Sequence, residues 1–244
     1  PTLRVVLLID EFDATPQAAI SSLLQTWREF YLAVEPPRSL HSVVLSGLQN
    51  IARLNLGRSS PFNIARQVRL AEFTEAQVEQ LLTQYSAESN QPFAPGVMAK
   101  IHQQTGGHPF LVNRLAAILT TEVATDRTQP ITVADLNRAQ QQLVRESNYN
   151  FETLARHARE QPEFVLDILF GKPYPFNLND PLVQELYTEG VINSSAVNNC
   201  QIANPIYRQV LTAYFRPRQL LYQRDILVNG HDFRAYATGD ALQM

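Results

Sequence analysis

Along the first fifty residues the hydrophobic positions come in unbroken runs. Val5-Val6-Leu7-Leu8-Ile9 passes straight into Asp10-Glu11-Phe12-Asp13, and Val43-Val44-Leu45 ends in Ser46-Gly47. A short aliphatic run without polar alternation predicts a strand buried on both faces, usually in a parallel sheet. Ionised carboxylates do not sit unpaired in such a core, so Asp10 and Glu11 are predicted to emerge at the strand's C-terminal edge. Between the runs, Ile20, Leu23, Leu24, Trp27, Phe30 and Tyr31 recur at helical spacing, and Thr15-Pro16 supplies an N-cap followed by proline at the first helical position. Strand, helix and a second strand of the same type predict a parallel βαβ crossover. Gln67-Val68-Arg69-Leu70 reads as a third, short strand.

Downstream the period changes from strand to helix. Thr74-Glu75-Ala76-Gln77 is a capping box, with Val78, Leu81, Leu82 and Tyr85 as the apolar face behind it. A helix from about Pro95 to Gln104 meets Thr105-Gly106-Gly107-His108-Pro109, where the glycines predict a left-handed cap and Pro109 opens the next helix. Another helix starts at Thr132, with Asp135 three residues on. Residues 149–216 read as a small separate unit. It has helices at Phe151–Arg159, Pro162–Phe170 and from Asp180-Pro181 to Tyr187, a hairpin pairing Val191–Asn193 with Gln201–Ala203, and a last helix capped by Asn204-Pro205. Three helices, a hairpin and a helix make a winged-helix arrangement. Asn229-Gly230 predicts one more hairpin in 217–244, the start of a further domain or a tail.

Composition narrows the classes. At 244 residues, 45% hydrophobic and 18% charged, the chain is globular and long enough for a sizeable core. A net charge of −3 gives no overall pull toward nucleic acid or anionic membrane. The single cysteine, Cys200, rules out an internal disulfide or a cysteine metal cluster and fits a reducing cytoplasm. No apolar run reaches the length of a membrane span. The chain opens on Pro1 and enters a strand that needs neighbours on both sides, which is the expectation for a fragment.

A hydrophobic strand followed by Asp-Glu is the Walker B pattern, in which the Asp holds Mg²⁺ and the Glu polarises the water that attacks the γ-phosphate. A buried strand ending in a solvated acidic turn has the same residues. Ser46 and Gln49 are the candidates for a γ-phosphate sensor beside it, although Ser-Gly also simply makes a turn. Arg58, in a Gly-Ser-Pro loop, is the candidate arginine finger toward a neighbour's phosphate. The corner at Gly107 and Pro109 places a helix N-terminus, with free N–H groups, where it can face a nucleotide, or serves only as helix punctuation.

These motifs, LLIDEFD (7–13), VVLSG (43–47), GRSSPFNIARQVRL (57–70), TGGHPFLVNRLA (105–116) and ANPIYRQV (203–210), resemble the C-terminal two thirds of bacterial AAA-like ATPases of the signal-transduction (STAND) and archaeal-type branch. The resemblance implies an α/β fold, an incomplete P-loop NTPase parallel sheet followed by a helical lid and a winged-helix domain. The corresponding boundaries are 1–72, 73–148 and 149–216, with 217–244 beyond them. It implies Asp10 and Glu11 as the catalytic Walker B pair, Asp10 as the metal ligand, Ser46 near sensor 1, and Gly107 and Pro109 on the adenine side of the cleft. ATP and Mg²⁺ would be the cofactors of the full-length protein.

The departure is that no G-x-x-x-x-G-K-S/T loop occurs in the 244 residues. Without its amides and lysine the chain alone is expected neither to bind ATP tightly nor to hydrolyse it. Part of a nucleotide-driven switch is therefore one reading, and a non-catalytic module that binds protein partners or self-associates is the other. DNA binding by the winged helix is disfavoured, because the segment around its expected recognition helix carries Asp180, Glu185 and Glu189 but no Lys or Arg. The five histidines show no paired spacing for a metal or a triad.

Overall fold

The computed structural model describes residues 4–12, 15–33, 40–47, 66, 68 and 70–215, and the chain divides into two compact units, 1–70 and 71–244. In the first unit β1 (Val5–Ile9) and β2 (Leu40–Leu45) pair in parallel, with Leu7 opposite Val43 and Ile9 opposite Leu45. The helix α1 (Gln17–Leu32) connects them, as the predicted crossover requires. Its cap differs from expectation. Pro16, with ψ 135°, is itself the N-cap, and its carbonyl accepts from the amides of Ala19 and Ile20, so Thr15 lies one residue too early to cap.

The first unit's small core sits where α1 crosses the strand ends. Phe12, Ile20 and Leu24 are buried there, with Ile9, Trp27 and Leu45 packed against them. The expectation that β1 is buried on both faces does not hold: Val6 is 50% exposed and Leu8 72%. Side chains alternate between faces along a strand. Ile9 turns toward α1, while Val6, Leu8 and Val44 fall on the face that α1 does not cover. The third expected strand is also absent from the described residues. Val68 and Leu70 are exposed and in no strand, and Gln67 and Arg69 lie outside the described residues.

The second unit is built from α2 (Glu75–Ser89), α3 (Val97–Thr105), α4 (Pro109–Ile118), α5 (Val133–Arg145), α6 (Tyr149–Glu160), α7 (Pro162–Leu169), α8 (Pro181–Thr188), the antiparallel pair β3 (Ile192–Ser194) and β4 (Cys200–Ile202), and α9 (205–215). Five of these helices, α2, α5, α6, α8 and α9, start at short polar side chains. Thr74 and Thr132 form reciprocal capping boxes with Gln77 and Asp135. Asn148, Asp180 and Asn204 accept from the amides of Phe151, Leu182 and Tyr207. Each such cap satisfies donors that a helix cannot satisfy internally. One cluster of buried side chains then runs from Val78 through Leu115, Leu143 and Val165 to Phe215. Within it Gln91 is fully buried: its Oε1 accepts from Tyr85 Oη at 2.7 Å, and its Nε2 donates to the carbonyl of Ala124 at 2.9 Å and also reaches that of Asp126. The hairpin proposed at Asn229-Gly230 lies outside the described residues.

Candidate functional site

Parallel pairing puts the ends of β1 and β2 side by side, and this brings Asp10 to Ser46. The register is held past the last strand pair. Ser46 N–H donates to Ile9 O at 2.9 Å, and Phe12 N–H donates to Ser46 O at 2.9 Å. Buried Phe12, its ring 5.8 Å from that of Trp27, anchors the turn from below. Between these anchors Glu11 takes a left-handed backbone, φ 51°, a conformation that costs a non-glycine residue about 1–2 kcal/mol.

The Asp10 carboxylate lies in the open. Its Oδ1 accepts a hydrogen bond from the Ser46 hydroxyl and another from the Glu11 amide at 3.0 Å. The Ser46 hydroxyl, and next the Glu11 amide, hold the Asp10 carboxyl below its ordinary value, because both stabilise the ionised form. Both bonds fall on one oxygen, which leaves the second oxygen for a cation or a water. Among the described residues no group of three or more His, Cys, Asp or Glu is assembled to hold a metal. The donor set is thus one ionised carboxylate with a hydroxyl beside it. That suits Mg²⁺, which takes one or two carboxylates and completes its shell with water and phosphate oxygens. Arg58 and Gln49 lie outside the described residues.

Gly107 and Pro109 belong to the second unit. Gly106 and Gly107, at φ 60° and 76°, end α3, and Pro109 opens α4 where no amide is missed. Thr105, fully buried, fixes the corner: its hydroxyl accepts from Gly107 N–H at 3.2 Å and donates to Ile101 O at 2.8 Å. Gly107 O accepts from Phe73 N–H at 2.8 Å, and a Cβ at Gly107 would lie 2.0 Å from Phe73 O. His102 Nε2 is 3.1 Å from that same carbonyl and must carry the proton, since a carbonyl only accepts. On its far side the corner meets α9. His108 stacks edge-on against Tyr207 with ring centroids 5.6 Å apart, and Tyr207 Oη donates to Asn150 Oδ1 at 2.9 Å. Burial lowers the His108 imidazole below its ordinary value despite the opposing Glu72 carboxylate, and its buried Nδ1 has no hydrogen-bond partner. Burial raises the Tyr207 phenol.

The sequence pattern pointed to Gly107 and Pro109 but not to Phe73, His102 or Tyr207, which hold them. The available signal was the second glycine. One left-handed residue suffices to end a helix, so a second glycine at once after it points to a close backbone approach.

A parallel βαβ unit ending in an acidic turn, followed by an array of helices, is a mixed α/β fold similar to those of P-loop ATPases. The chain belongs to the AAA-like domain family, whose description matches residues 4–217. Among solved structures it is similar to the Walker-type ATPase PABY2304 of Pyrococcus abyssi, at 16% identity and a TM-score of 0.54 over 85% of this chain. It spans 63% of that relative's length. A RuvB mutant of Thermotoga maritima is similar at 14% identity and a TM-score of 0.46, over 87% of this chain and 69% of the other. No curated protein matches the chain.

Proposed function

We propose that the chain is part of an ATP-dependent molecular switch of the STAND and archaeal-type branch, with Asp10-Glu11 as its Walker B pair and inactive without a phosphate-binding loop. The observation that carries this is the hydrogen bond from Ser46 to an exposed, ionised Asp10 across the C-terminal ends of two parallel strands, the edge at which open α/β sheets bind ligands. Asp10 would hold Mg²⁺, with Ser46 and the Glu11 amide orienting its carboxylate. Bound Mg²⁺ supplies charge neutralisation at the phosphate oxygens. Glu11 orients the attacking water and accepts its proton, and Ser46 stands on the γ-phosphate side as a sensor. Arg58 is proposed as a finger toward a neighbouring subunit, and Gly107 and Pro109 as the adenine side of the cleft.

In this scheme residues 1–72 are part of the NTPase core, 73–148 the lid and 149–216 a winged-helix domain. The last is a packing or regulatory module and not a DNA reader: α8 contains Glu185 but no Lys or Arg, and residues 192–202 carry no charge. Protein partners or self-association through the core, in the cytoplasm, complete the proposal. Among the described residues no helix is long and apolar enough to cross a membrane.

The test is to titrate labelled ATP–Mg²⁺ into this chain and into a version extended upstream. Binding by the extended chain alone, with turnover altered by Asp10→Ala and Glu11→Gln, is expected. Glu11-dependent turnover by the 244-residue chain overturns the claim of inactivity. Absence of binding by either chain overturns the switch.

A further inference from the structure

The corner at Thr105–Pro109 meets backbone on one side and the first turn of α9 on the other. On one side is Ala71–Phe73, the stretch that follows Leu70, where the first unit ends and the second begins. Phe73 is held at both of its peptide groups, its N–H by Gly107 O at 2.8 Å and its carbonyl by His102 Nε2 at 3.1 Å. On the other side is the first turn of α9. A Cβ at Gly106 would meet Asn204 Cβ at 3.1 Å and Ala203 O at 3.4 Å, and Asn204 is the residue whose Oδ1 caps Tyr207 N–H at 2.8 Å. His108 lies against the Tyr207 ring, and Phe151 of α6 lies edge-on to the same ring at 6.3 Å.

Gly106, Gly107 and His108 lie between the two sides, and the connector's Glu72 carboxylate also acts on His108 and Tyr207. Both glycines are left-handed, and Thr105, buried and bonded to Gly107 N–H, removes their slack. A side chain between two segments absorbs a displacement by changing rotamer. Here the tight approach of Gly107 to Phe73 is backbone to backbone, and rigidly packed elements pass strain on instead of dissipating it.

We propose that this corner is a coupling joint, which transmits movement of the connector Ala71–Phe73 through Gly106, Gly107 and His108 to the first turn of α9. The coupling requires no nucleotide and is independent of the role assigned to Asp10. A change of state that pulls on the connector loosens the α9 cap, and by reciprocity a change at Tyr207 loosens the connector. His102 acts on the joint as a positioning residue, through the Phe73 carbonyl.

Amide hydrogen exchange on the full chain, without nucleotide, tests this. His102→Ala removes the donor to Phe73 O, so the Phe73 amide is expected to exchange about 2–10-fold faster, as one lost net hydrogen bond implies. Coupling requires the Tyr207 and Arg208 amides, bonded to Asn204, to speed up with it by about threefold or more. The Leu182 amide, capped by Asp180, is the internal control and should not change. His102→Gln, which retains a donor, should restore the native rates. The reverse variant, Tyr207→Leu, should speed the Phe73 amide and provides an independent arm if His102→Ala does not fold. Faster exchange at Phe73 alone, equal acceleration at Leu182, or no change at any of them overturns the proposal.

Discussion

Replacing Gly107 by alanine separates two costs that a left-handed glycine usually combines. The added Cβ would lie 2.0 Å from Phe73 O, 3.0 Å from its C and 3.1 Å from its N. All three are backbone atoms, so no rotamer change relieves the overlap. Phe73 must retreat by about 1 Å to reach the closest distance that real Cβ atoms show. That retreat breaks the Phe73 N–H to Gly107 O bond and draws the carbonyl away from His102. Each hydrogen bond is worth about 1 kcal/mol net, and a left-handed alanine costs about 1–2 kcal/mol. The sum is about 3–4 kcal/mol, in the range reached only by substitutions with a specific structural cause.

Gly96 supplies the control. It has a similar backbone, φ 81°, but a Cβ there has nothing within 4 Å, so Gly96→Ala carries the conformational cost alone, about 1–2 kcal/mol. Denaturant unfolding followed by helical circular dichroism compares the two variants with the parent, because most of the described helix lies in the second unit. A Gly107→Ala variant within about 0.5 kcal/mol of Gly96→Ala would refute the close-approach explanation, since the steric and hydrogen-bond terms would then be absent.

Ser46→Ala removes the largest influence on Asp10, so carbon NMR titration should find the Asp10 carboxyl raised toward its ordinary value; an unchanged titration would mean that the Ser46 bond does not form in solution. Thr132→Ala should cost about 1 kcal/mol through loss of the α5 cap, read from denaturation at neutral pH. The Thr132 hydroxyl lowers the Asp135 carboxyl below its unfolded value near 3.9, so its contribution is present above that pH and is lost as pH falls through the lower native value. Asp135→Asn should therefore flatten the acid limb of the stability profile, and an unaltered limb would count against the linkage.

The helices were legible in the sequence because their ends are written in single residues. Thr74 with Gln77, Thr132 with Asp135, Asp180 and Asn204 all cap where short-range chemistry places them. The parallel pairing of β1 and β2 was legible because a helix between two aliphatic runs is the usual crossover between parallel strands. Burial of β1 was not, since an aliphatic run says what a strand tolerates and not what stands on each face of it. Leu8 and Ile9 are similar in hydrophobicity, yet Leu8 is exposed while Ile9 packs toward α1. The cap at Pro16 in place of Thr15 is not legible in the sequence, because proline can act as the N-cap or as the first helical residue, and only its ψ distinguishes the two. The partners of the corner were illegible for another reason: Phe73, His102 and Tyr207 reach Gly107 and His108 through tertiary contacts with no local pattern.

The two groups of candidate residues differ in what packing explains. Gly107 is required by Phe73, and Pro109 suits the first position of α4. Neither therefore gives independent support for an adenine pocket, since the fold accounts for both with no nucleotide in reach. The acidic turn is the reverse case. Among its described residues Phe12 anchors it in the core, whereas Asp10 and Glu11 are exposed and belong to no apolar cluster. A turn with only a structural task would be better served by glycine or asparagine at a left-handed position than by Glu11. A left-handed glutamate between the Ser46 and Phe12 anchors, set beside a carboxylate that accepts from the Ser46 hydroxyl, is the pattern expected where a site is maintained for chemistry. The proposed nucleotide chemistry accordingly rests on Asp10, Glu11 and Ser46, and the Gly-His-Pro corner is explained by its packing.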